Sequence, residues 1–475
     1  MSKTAKVILF VVGGFVGFLV LVVVAVLLFM DVNAYKPRLE AAASGVLGME
    51  VRVGGQLGIG LFPGLRLTLE DVHIRNRGTD VASAKEARLG IDLLPLFQKQ
   101  VRIRKIALKH PSISIERDRD DKFNFEKTET AGGALPALDL KDISLTDGTL
   151  HYVDKQSGEG FEAVGCNLNT RRLQLAEGKS LDLLKHLSFT ADLVCGEIRT
   201  KNFVATDLKC SVAGKNGVFD IKSILMRVFG GQGSASIQAN FAGAAPVYHV
   251  RYSLSKFRIE DVFKNLSPDK VAEGSMDFSA NLSMQGKTVN EMKQTTGGEV
   301  SLHGENLVLH GRDLDREFAR FESSQNFNLV DVGAFFFAGP VGLAVTKGYN
   351  FASIFQGSGG RSDIRILVSD WKVERGVAQA QDVAMATNKN RVALQGGLDF
   401  VNQRFNHVTV ALVDAKGCAK VQQKIRGSFR KPVVEKPNIL TSITGPAVKL
   451  LKKGAELFPG GKCDVFYAGS VAPPK

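Results

Sequence analysis

Apolar residues fall at every second position through much of this chain. Leu65, Leu67 and Leu69 alternate with Arg66, Thr68 and Glu70; Val101 and Ile103 bracket Arg102; Ile113 and Ile115 alternate with Ser112 and Ser114. Successive side chains of a strand point to opposite faces, so this period predicts strands with one greasy and one wet face. Pro63, Pro95 and Pro111 sit at the edges of these runs, where a missing N–H costs little. A second strand series starts at Ala137 and contains Asp147-Gly148, a dipeptide that reads as a hairpin turn. Further strands are expected near 187–193, 203–212, 218–226, 233–241, 247–257, 275–284 and 300–309, and again through 364–429. Gly304 suggests a turn or bulge. Helices are expected over 35–47, closed by Gly48, and over 260–265 and 312–327. Leu93–Phe97 reads as a loop or a short helical turn. No strict period repeats; strand, turn and strand recur loosely, as in a long antiparallel meander.

Three stretches depart from this pattern. Val7–Met30 is an uncharged apolar run of 24 residues, and about 20 residues cross a bilayer core. Lys3 and Lys6 precede it and Asp31 follows, which puts the N-terminus in the cytoplasm and the remainder outside. A cleaved signal peptide has an apolar core of about 7–15 residues and a small-x-small site; Leu27–Asp31 offers no such site. Leu329–Tyr349 is the next least polar segment, but Pro340 and its glycines break it. It reads as a buried cap or an element lying on a membrane. Ile439–Phe458 is amphipathic, with Ile443, Leu450, Leu451 and Phe458 opposite Lys449, Lys452 and Lys453, which suits an interfacial helix or one packed over a sheet end.

The 475 residues carry a net charge of +13. Such an excess serves nucleic acid or anionic membrane surfaces; with an anchor at Val7–Met30 the bulk never meets chromosomal DNA, so lipid head groups are the expected anionic partner. The five cysteines, Cys166, Cys195, Cys210, Cys418 and Cys463, contain no C-x-x-C pair. A non-cytoplasmic location permits disulfides, and Cys195 and Cys210 lie on neighbouring strand runs, yet the scattered spacing favours inert buried thiols.

No catalytic spacing stands out. There is no G-x-S-x-G elbow and no H-E-x-x-H. Gly286-Lys287-Thr288 ends like a phosphate loop, but position 281 is Asn281. His303 and His310 read as surface residues. Asp118, Asp120 and Asp121 are interleaved with Arg117, Arg119 and Lys122, as in a solvated turn. Neither a catalytic residue, a metal ligand nor a cofactor is expected.

Five pieces of sequence fall in one order over about eighty residues. They are Gly48-x-x-Val51-x-Val53-x-Gly55, Phe62-Pro63 before alternating leucines, Leu93-Leu94-Pro95-Leu96-Phe97, His110-Pro111-x-Ile113-x-Ile115-x-Arg117-Asp118, and Phe123-Asn124-Phe125. Together they resemble the N-terminal region of the AsmA family of bacterial envelope proteins. Gly298–Leu309 with Gly311–Asp315, Val377–Thr387, Arg391–Phe400 and Gly427–Pro432 resemble its C-terminal region.

The resemblance implies a single-pass inner-membrane protein with a periplasmic body, related to bridge-like lipid-transfer proteins. It implies a mainly β fold: an elongated antiparallel curved sheet with an apolar concave face, an N-terminal transmembrane helix and a few short helices. The expected division is a cytoplasmic tip and anchor (1–31), an AsmA-type N-terminal region (32–130), a middle β region (131–297), an AsmA-type C-terminal region (298–432), and an amphipathic helix and tail (433–475). The implied function is to hold or conduct phospholipids in support of the outer membrane. Leu65, Leu67, Leu69, Ile113, Ile115, Leu138 and Leu140 are candidate groove residues. The same alternation arises in a β-sandwich, whose greasy face meets a second sheet. A scaffold that assists outer-membrane protein assembly, with exposed edges pairing to client strands, is the alternative function. Membrane phospholipids and other envelope proteins are the expected partners.

Overall fold

The computed structural model describes residues 32–60, 64–92, 102–120, 122–126, 138–175, 183–264, 272–324, 359–435 and 465–474. The Val7–Met30 run, Leu93–Phe97, Leu329–Tyr349 and Ile439–Phe458 lie outside the described residues. Among the described residues no helix is long and apolar enough to cross a membrane. The chain divides into two compact units, residues 1–201 and 202–475.

The first unit opens with helix Lys36–Leu47. A proline sits in its first turn, where a lost N–H has no partner inside the helix, and Gly48 ends it with a φ of 68° and an N–H donated to the Ser44 carbonyl. Side chains tie this helix and the turn before it to the sheet. Glu40 Oε1 accepts from the Val53 N–H at 2.7 Å, Ser44 Oγ from Val51 at 2.8 Å, and Asn33 Oδ1 from Leu57 at 2.9 Å.

Strands β1 (Glu50–Val53), β2 (Leu57–Gly60), β3 (Leu65–Asn76), β4 (Thr79–Ile91), β5 (Ile103–Arg117), β6 (Leu138–Asp154), β7 (Glu159–Leu175) and β8 (Leu187–Thr200) follow. Both β1 and β2 pair with β3, and from β3 onward each strand pairs with the next. The expected all-antiparallel meander fails at one place: β5 and β6 are parallel. Parallel neighbours need a crossover of a dozen or more residues, and the segment between Arg117 and Leu138 supplies 20.

Strict alternation is also interrupted. Asp71, His110, Asp147 and Arg172 hold left-handed φ values of 55°, 46°, 53° and 54° inside strands. At each the apolar phase steps by three residues instead of two; the pairing register itself shifts, as in a bulge, beside Asp147 against β7 and Arg172 against β8, and stays in step at Asp71 and His110. Thus Leu69 is followed by Val72, Leu108 by Pro111, and Thr170 by Leu173. Asp147-Gly148 is therefore not a hairpin turn but a bulge within the 17-residue strand β6; the turn after β6 falls at 155–158. These steps align. Lys85 lies between Asp71 and His110 in register, and His110 neighbours Asp147 across the parallel pair, Nδ1 to Oδ2 at 3.0 Å. At the same level a disulfide joins Cys166 on β7 to Cys195 on β8. That corrects the expectation of inert buried thiols, and the partner of Cys195 is Cys166 rather than the neighbouring Cys210. Cys418 is disulfide-bonded as well.

The second unit is antiparallel throughout its pairings. It comprises β9 (Val204–Lys215), β10 (Val218–Val228), β11 (Gly231–Asn240), β12 (Val247–Arg258), β13 (Ala272–Glu273), β14 (Ser275–Gln285), β15 (Gly297–His310), β16 (Arg361–Glu374), β17 (Val377–Thr387), β18 (Arg391–Asp399), β19 (Arg404–Val413), β20 (Ala419–Ser428) and β21 (Lys431–Val434). Asn216-Gly217 and Arg375-Gly376 make two-residue hairpin loops with both φ values positive, the geometry that matches strand twist. Gly304 is not a turn; it faces Met276 within β15, and the bulge lies two residues on, at Asn306 (φ 54°).

From β15 to β20 this unit has a sealed core. Ile364, Leu367 and Met385 are fully buried, together with Phe318 of helix Leu314–Ser324. The opposite side of the same strands is covered by residues 465–474: Tyr467 and Val471 pack on Val368, Ala384, Ala386, Ala393, Ala411 and Val413. Polar contacts fix this docking. Asp382 accepts from the Tyr467 hydroxyl at 2.5 Å and the Ser470 N–H at 2.8 Å, and Arg391 donates to the Val471 carbonyl at 2.8 Å beneath the Tyr467 ring. Burial pushes the Asp382 carboxyl up, but the bonds from Tyr467 and Ser470 outweigh it and hold it below its ordinary 3.8. Burial and then Asp382 push the Tyr467 hydroxyl up.

A carboxyl with a depressed folded value contributes stability that is complete above its unfolded value and lost as pH falls through the folded one. At pH 7, Asp382→Asn should speed hydrogen exchange at Ser470 and Val471 on the order of tenfold or more. The ratio of variant to wild-type exchange should shrink toward one as pH falls below the ordinary 3.8 and through the lower folded value, where wild-type Asp382 gains its proton. A ratio independent of pH would refute the assignment. For the disulfide, alkylation of the unfolded, unreduced chain should leave Cys166 and Cys195 unmodified in peptide mass spectra; labelling of either contradicts the pairing.

Candidate functional site

All seven residues singled out from the alternation lie in the first unit: Leu65, Leu67 and Leu69 on β3, Ile113 and Ile115 on β5, Leu138 and Leu140 on β6. Partners directly opposite in register point to the same face, so the register shows which of them belong together. Leu67 heads a row through Leu89, Ile106 and Ile143. Leu69 heads a row across six strands through Ala87, Leu108, Leu145, Leu168 and Leu193. Beyond the three-residue steps, Ile113 lies between Ala82 and Leu150, Ile115 beside Tyr152, and Tyr152 beside Phe161. On β6, Leu138 and Leu140 pair with Leu175 and Leu173.

Alternation alone did not single out Ile106, Leu108, Ile143, Leu145, Leu168 and Leu193. They sit past the three-residue steps. The available signal is the polar doublet at each step, such as Glu70-Asp71 or Lys109-His110, which a template of period two reads as the end of a strand.

Burial separates two parts of this face. Leu69, at 6% exposure, closes into a cluster with Val53, Leu57 and Ala87, against which Leu39 of the first helix packs. Leu140 is also buried. Most of the remaining row residues are only half-buried: Leu65, Leu67, Ile106, Leu108, Ile113, Ile115, Ile143, Leu145, Leu150, Leu168 and Leu193. A sandwich would bury such a row almost completely against its second sheet, as happens to Ile364 and Leu367 in the second unit. The first unit therefore presents a broad, partly open hydrocarbon surface.

The reverse face is charged. Lys109 and Arg88 flank Glu86, Lys105 pairs with Asp142 at 2.8 Å, and Arg199 pairs with Glu197 at 2.6 Å. Burial pushes the Glu86 carboxyl up, while Lys109 and Arg88 more than offset it and hold it below its usual range. Such exposed pairs contribute little stability each; they keep this face wet.

The other motifs take structural roles. Thr288 caps helix Val289–Thr295, its hydroxyl accepting from the Glu291 N–H at 3.2 Å while Glu291 accepts from the Lys287 N–H at 2.8 Å. That reciprocal box accounts for Gly286-Lys287-Thr288 without a phosphate. Asp118 Oδ1 accepts from the N–H groups of Asp120 and Lys122, which makes it a turn former. His303 pairs with Asp370 at 2.7 Å and His310 with Glu273 at 2.6 Å. Among the described residues no three His, Cys, Asp or Glu side chains converge to hold a metal.

No curated protein and no solved structure matches the chain. The profile of the AsmA family matches residues 1–180 and 186–324, which include every strand of the open apolar face. The chain belongs to the AsmA family, and that membership points to an envelope-associated function.

Proposed function

We propose that this is an inner-membrane-anchored periplasmic protein that binds or conducts phospholipids along the apolar face of its first unit, supporting outer-membrane lipid homeostasis. The observation that carries the reading is the set of half-buried apolar rows on β3–β8. Each methylene removed from water stabilises by about 0.8 kcal/mol, so an acyl chain lying along the rows gains what the protein itself leaves unsealed. The head group stays in water at the rim. The long uncharged run Val7–Met30 supports a membrane tether. The Cys166–Cys195 disulfide supports a body outside the reducing cytoplasm. The reading needs no catalytic residue and no cofactor: the chemistry is solvation.

Full-length protein extracted in mild detergent should carry phospholipid, detected by mass spectrometry after organic extraction. The double variant Leu67→Asp with Ile115→Asp should carry several-fold less while keeping its strand signature in circular dichroism. Both side chains are only half-buried, so the sheet tolerates them better than it would a charge at Leu69. Lipid-free wild type, or a double variant as loaded as wild type, would overturn the proposal; cross-linking of lipid-free wild type to outer-membrane proteins would favour a scaffold instead.

A further inference from the structure

The last hairpin of the second unit, β20–β21, has two unlike faces. Val421, Gln423, Ile425 and Phe429 are buried, and Phe429 packs on the rings of Phe400 and Phe405. Lys424 and Arg426, which alternate with Gln423 and Ile425, are exposed. Across the hairpin Lys431 lies opposite Ser428 and Val433 opposite Arg426; on the other side of β20, Arg404 lies opposite Ser428. Partners in register share a face. Arg404, Lys424, Arg426, Lys431 and Val433 therefore all look the same way, and Val433 is 50% exposed. On that face a cleft of about 620 Å³ is lined by Arg404, Lys424 and Arg426 together with Asn406 and Thr409.

The charge on this face is one-signed. Residues 419–434 hold five cations and no acidic residue. Glu435, next in the chain, pairs with Arg426 at 3.3 Å. Asp399, the other carboxylate at the cleft, serves its own turn, accepting from the Val401 and Asn402 N–H groups at 3.1 and 2.9 Å. Among the described residues Lys424, Arg430 and Lys431 have no acidic partner. Addition of a partner strand does not account for the cations. Glu435 donates its N–H to the Lys424 carbonyl at 2.9 Å, so the odd positions of β21 bond to β20 and position 432 turns its backbone outward. A proline there has no N–H to offer, which blunts the edge. The partner meets the face.

Two observations choose that partner. Val433 is an exposed apolar side chain among ammonium and guanidinium groups, which suits the boundary between head groups and acyl chains. Four residues beyond Glu435 begins Ile439–Phe458, whose sequence sets Lys449, Lys452 and Lys453 against Ile443, Leu450, Leu451 and Phe458. Charge and hydrocarbon are thus combined twice in succession, as on elements that lie on anionic membranes. The Cys166–Cys195 disulfide fits a compartment without nucleic acid.

We propose that the exposed face of the β20–β21 hairpin docks on an anionic phospholipid surface. Lys424, Arg430 and Lys431 lie over the phosphates, Val433 sits among the head groups, and the cleft between Arg404 and Lys424 seats one phosphate. The contact is separate from the open rows of the first unit and needs no lipid on them.

The test holds the full-length chain in phosphatidylcholine nanodiscs and adds vesicles of phosphatidylcholine, either alone or with about 30 mole per cent phosphatidylglycerol. Co-flotation reads the binding. The chain should bind the anionic vesicles and not the neutral ones, and binding should fall as salt rises. Lys424→Gln with Arg430→Gln and Lys431→Gln should weaken it on the order of 100-fold. All three side chains are exposed, so the strand signature in circular dichroism should stay as in wild type. Lys209→Gln with Lys215→Gln and Lys256→Gln removes the same charge from other exposed positions of the second unit and should change binding little. Equal binding to neutral vesicles, an equal loss in both triple variants, or full binding in the hairpin variant would overturn the proposal. So would a loss confined to Lys449→Gln with Lys452→Gln and Lys453→Gln, which would move the contact off the hairpin. Oligoglutamate that binds as tightly as the anionic vesicles and displaces them would assign the face to an acidic protein and overturn the membrane assignment.

Discussion

Long strands that must share one greasy face face a phase problem. A strand such as β6, 17 residues from Leu138 to Asp154, accumulates twist, and a single slip of one residue would send every later side chain to the wrong side. In the first unit the solution is a line of left-handed residues at one level across the sheet, where the apolar phase steps by three residues. Asp71, His110 and Asp147 each take the left-handed conformation, which short polar side chains tolerate better than branched ones. Because these steps lie opposite one another, both partners of a pair change phase together and the apolar rows resume on the same face. The His110–Asp147 contact at 3.0 Å and the Cys166–Cys195 disulfide lie along the same line. The register of the unit is thus pinned where it is most easily lost, and the continuity of the apolar face depends on it.

The amount of this legible in the sequence follows from what a pattern can encode. Strands β9 to β12 and β14 were bounded to within a few residues because alternation and glycine turns are local. Strand direction is not local: nothing in Leu138–Asp154 says that it runs parallel to β5, and only the 20 residues before it hint at a crossover. Asp147-Gly148 misled because the same dipeptide satisfies a hairpin and a bulge; the partner strand decides. Helix Val289–Thr295 was missed although Thr288 and Glu291 spell a capping box, since a helix this short has no apolar stripe. The site residues divide the same way. Leu65 and Leu67 announce themselves, whereas Leu168 and Leu193 join their row only through a register that no single strand contains.

The same kind of greasy face meets two different ends within one chain. In the second unit strands β17 to β19 carry alanine at positions 384, 386, 393 and 411, so a covering segment can approach closely, and Tyr467 and Val471 do so. The opposite side of those strands is filled by Ile364, Leu367 and Met385, each without measurable exposure. In the first unit the corresponding rows are built of leucine and isoleucine and remain half-buried. Large apolar side chains left partly wet are a cost that a fold built only for stability would remove by packing a second layer. The contrast, not the alternation, separates a sealed core from an apolar surface left open.

That cost also makes the stability of the first unit depend on what lies on it. A ligand that binds only the folded state adds RT ln(1 + [L]/Kd) to stability, about 2.7 kcal/mol at a hundredfold excess over Kd. A hydrocarbon guest on the open rows would supply that increment at the same residues where the protein forgoes its own packing. Leu69 and Leu140, already sealed by neighbours, stand outside this exchange and hold the sheet together when the face is empty. Leu67, Ile106, Ile113 and Ile115, half-exposed beside them, can gain and lose a partner without unfolding. The division between sealed and open apolar residues on the same strands is what would let such a surface bind a guest reversibly.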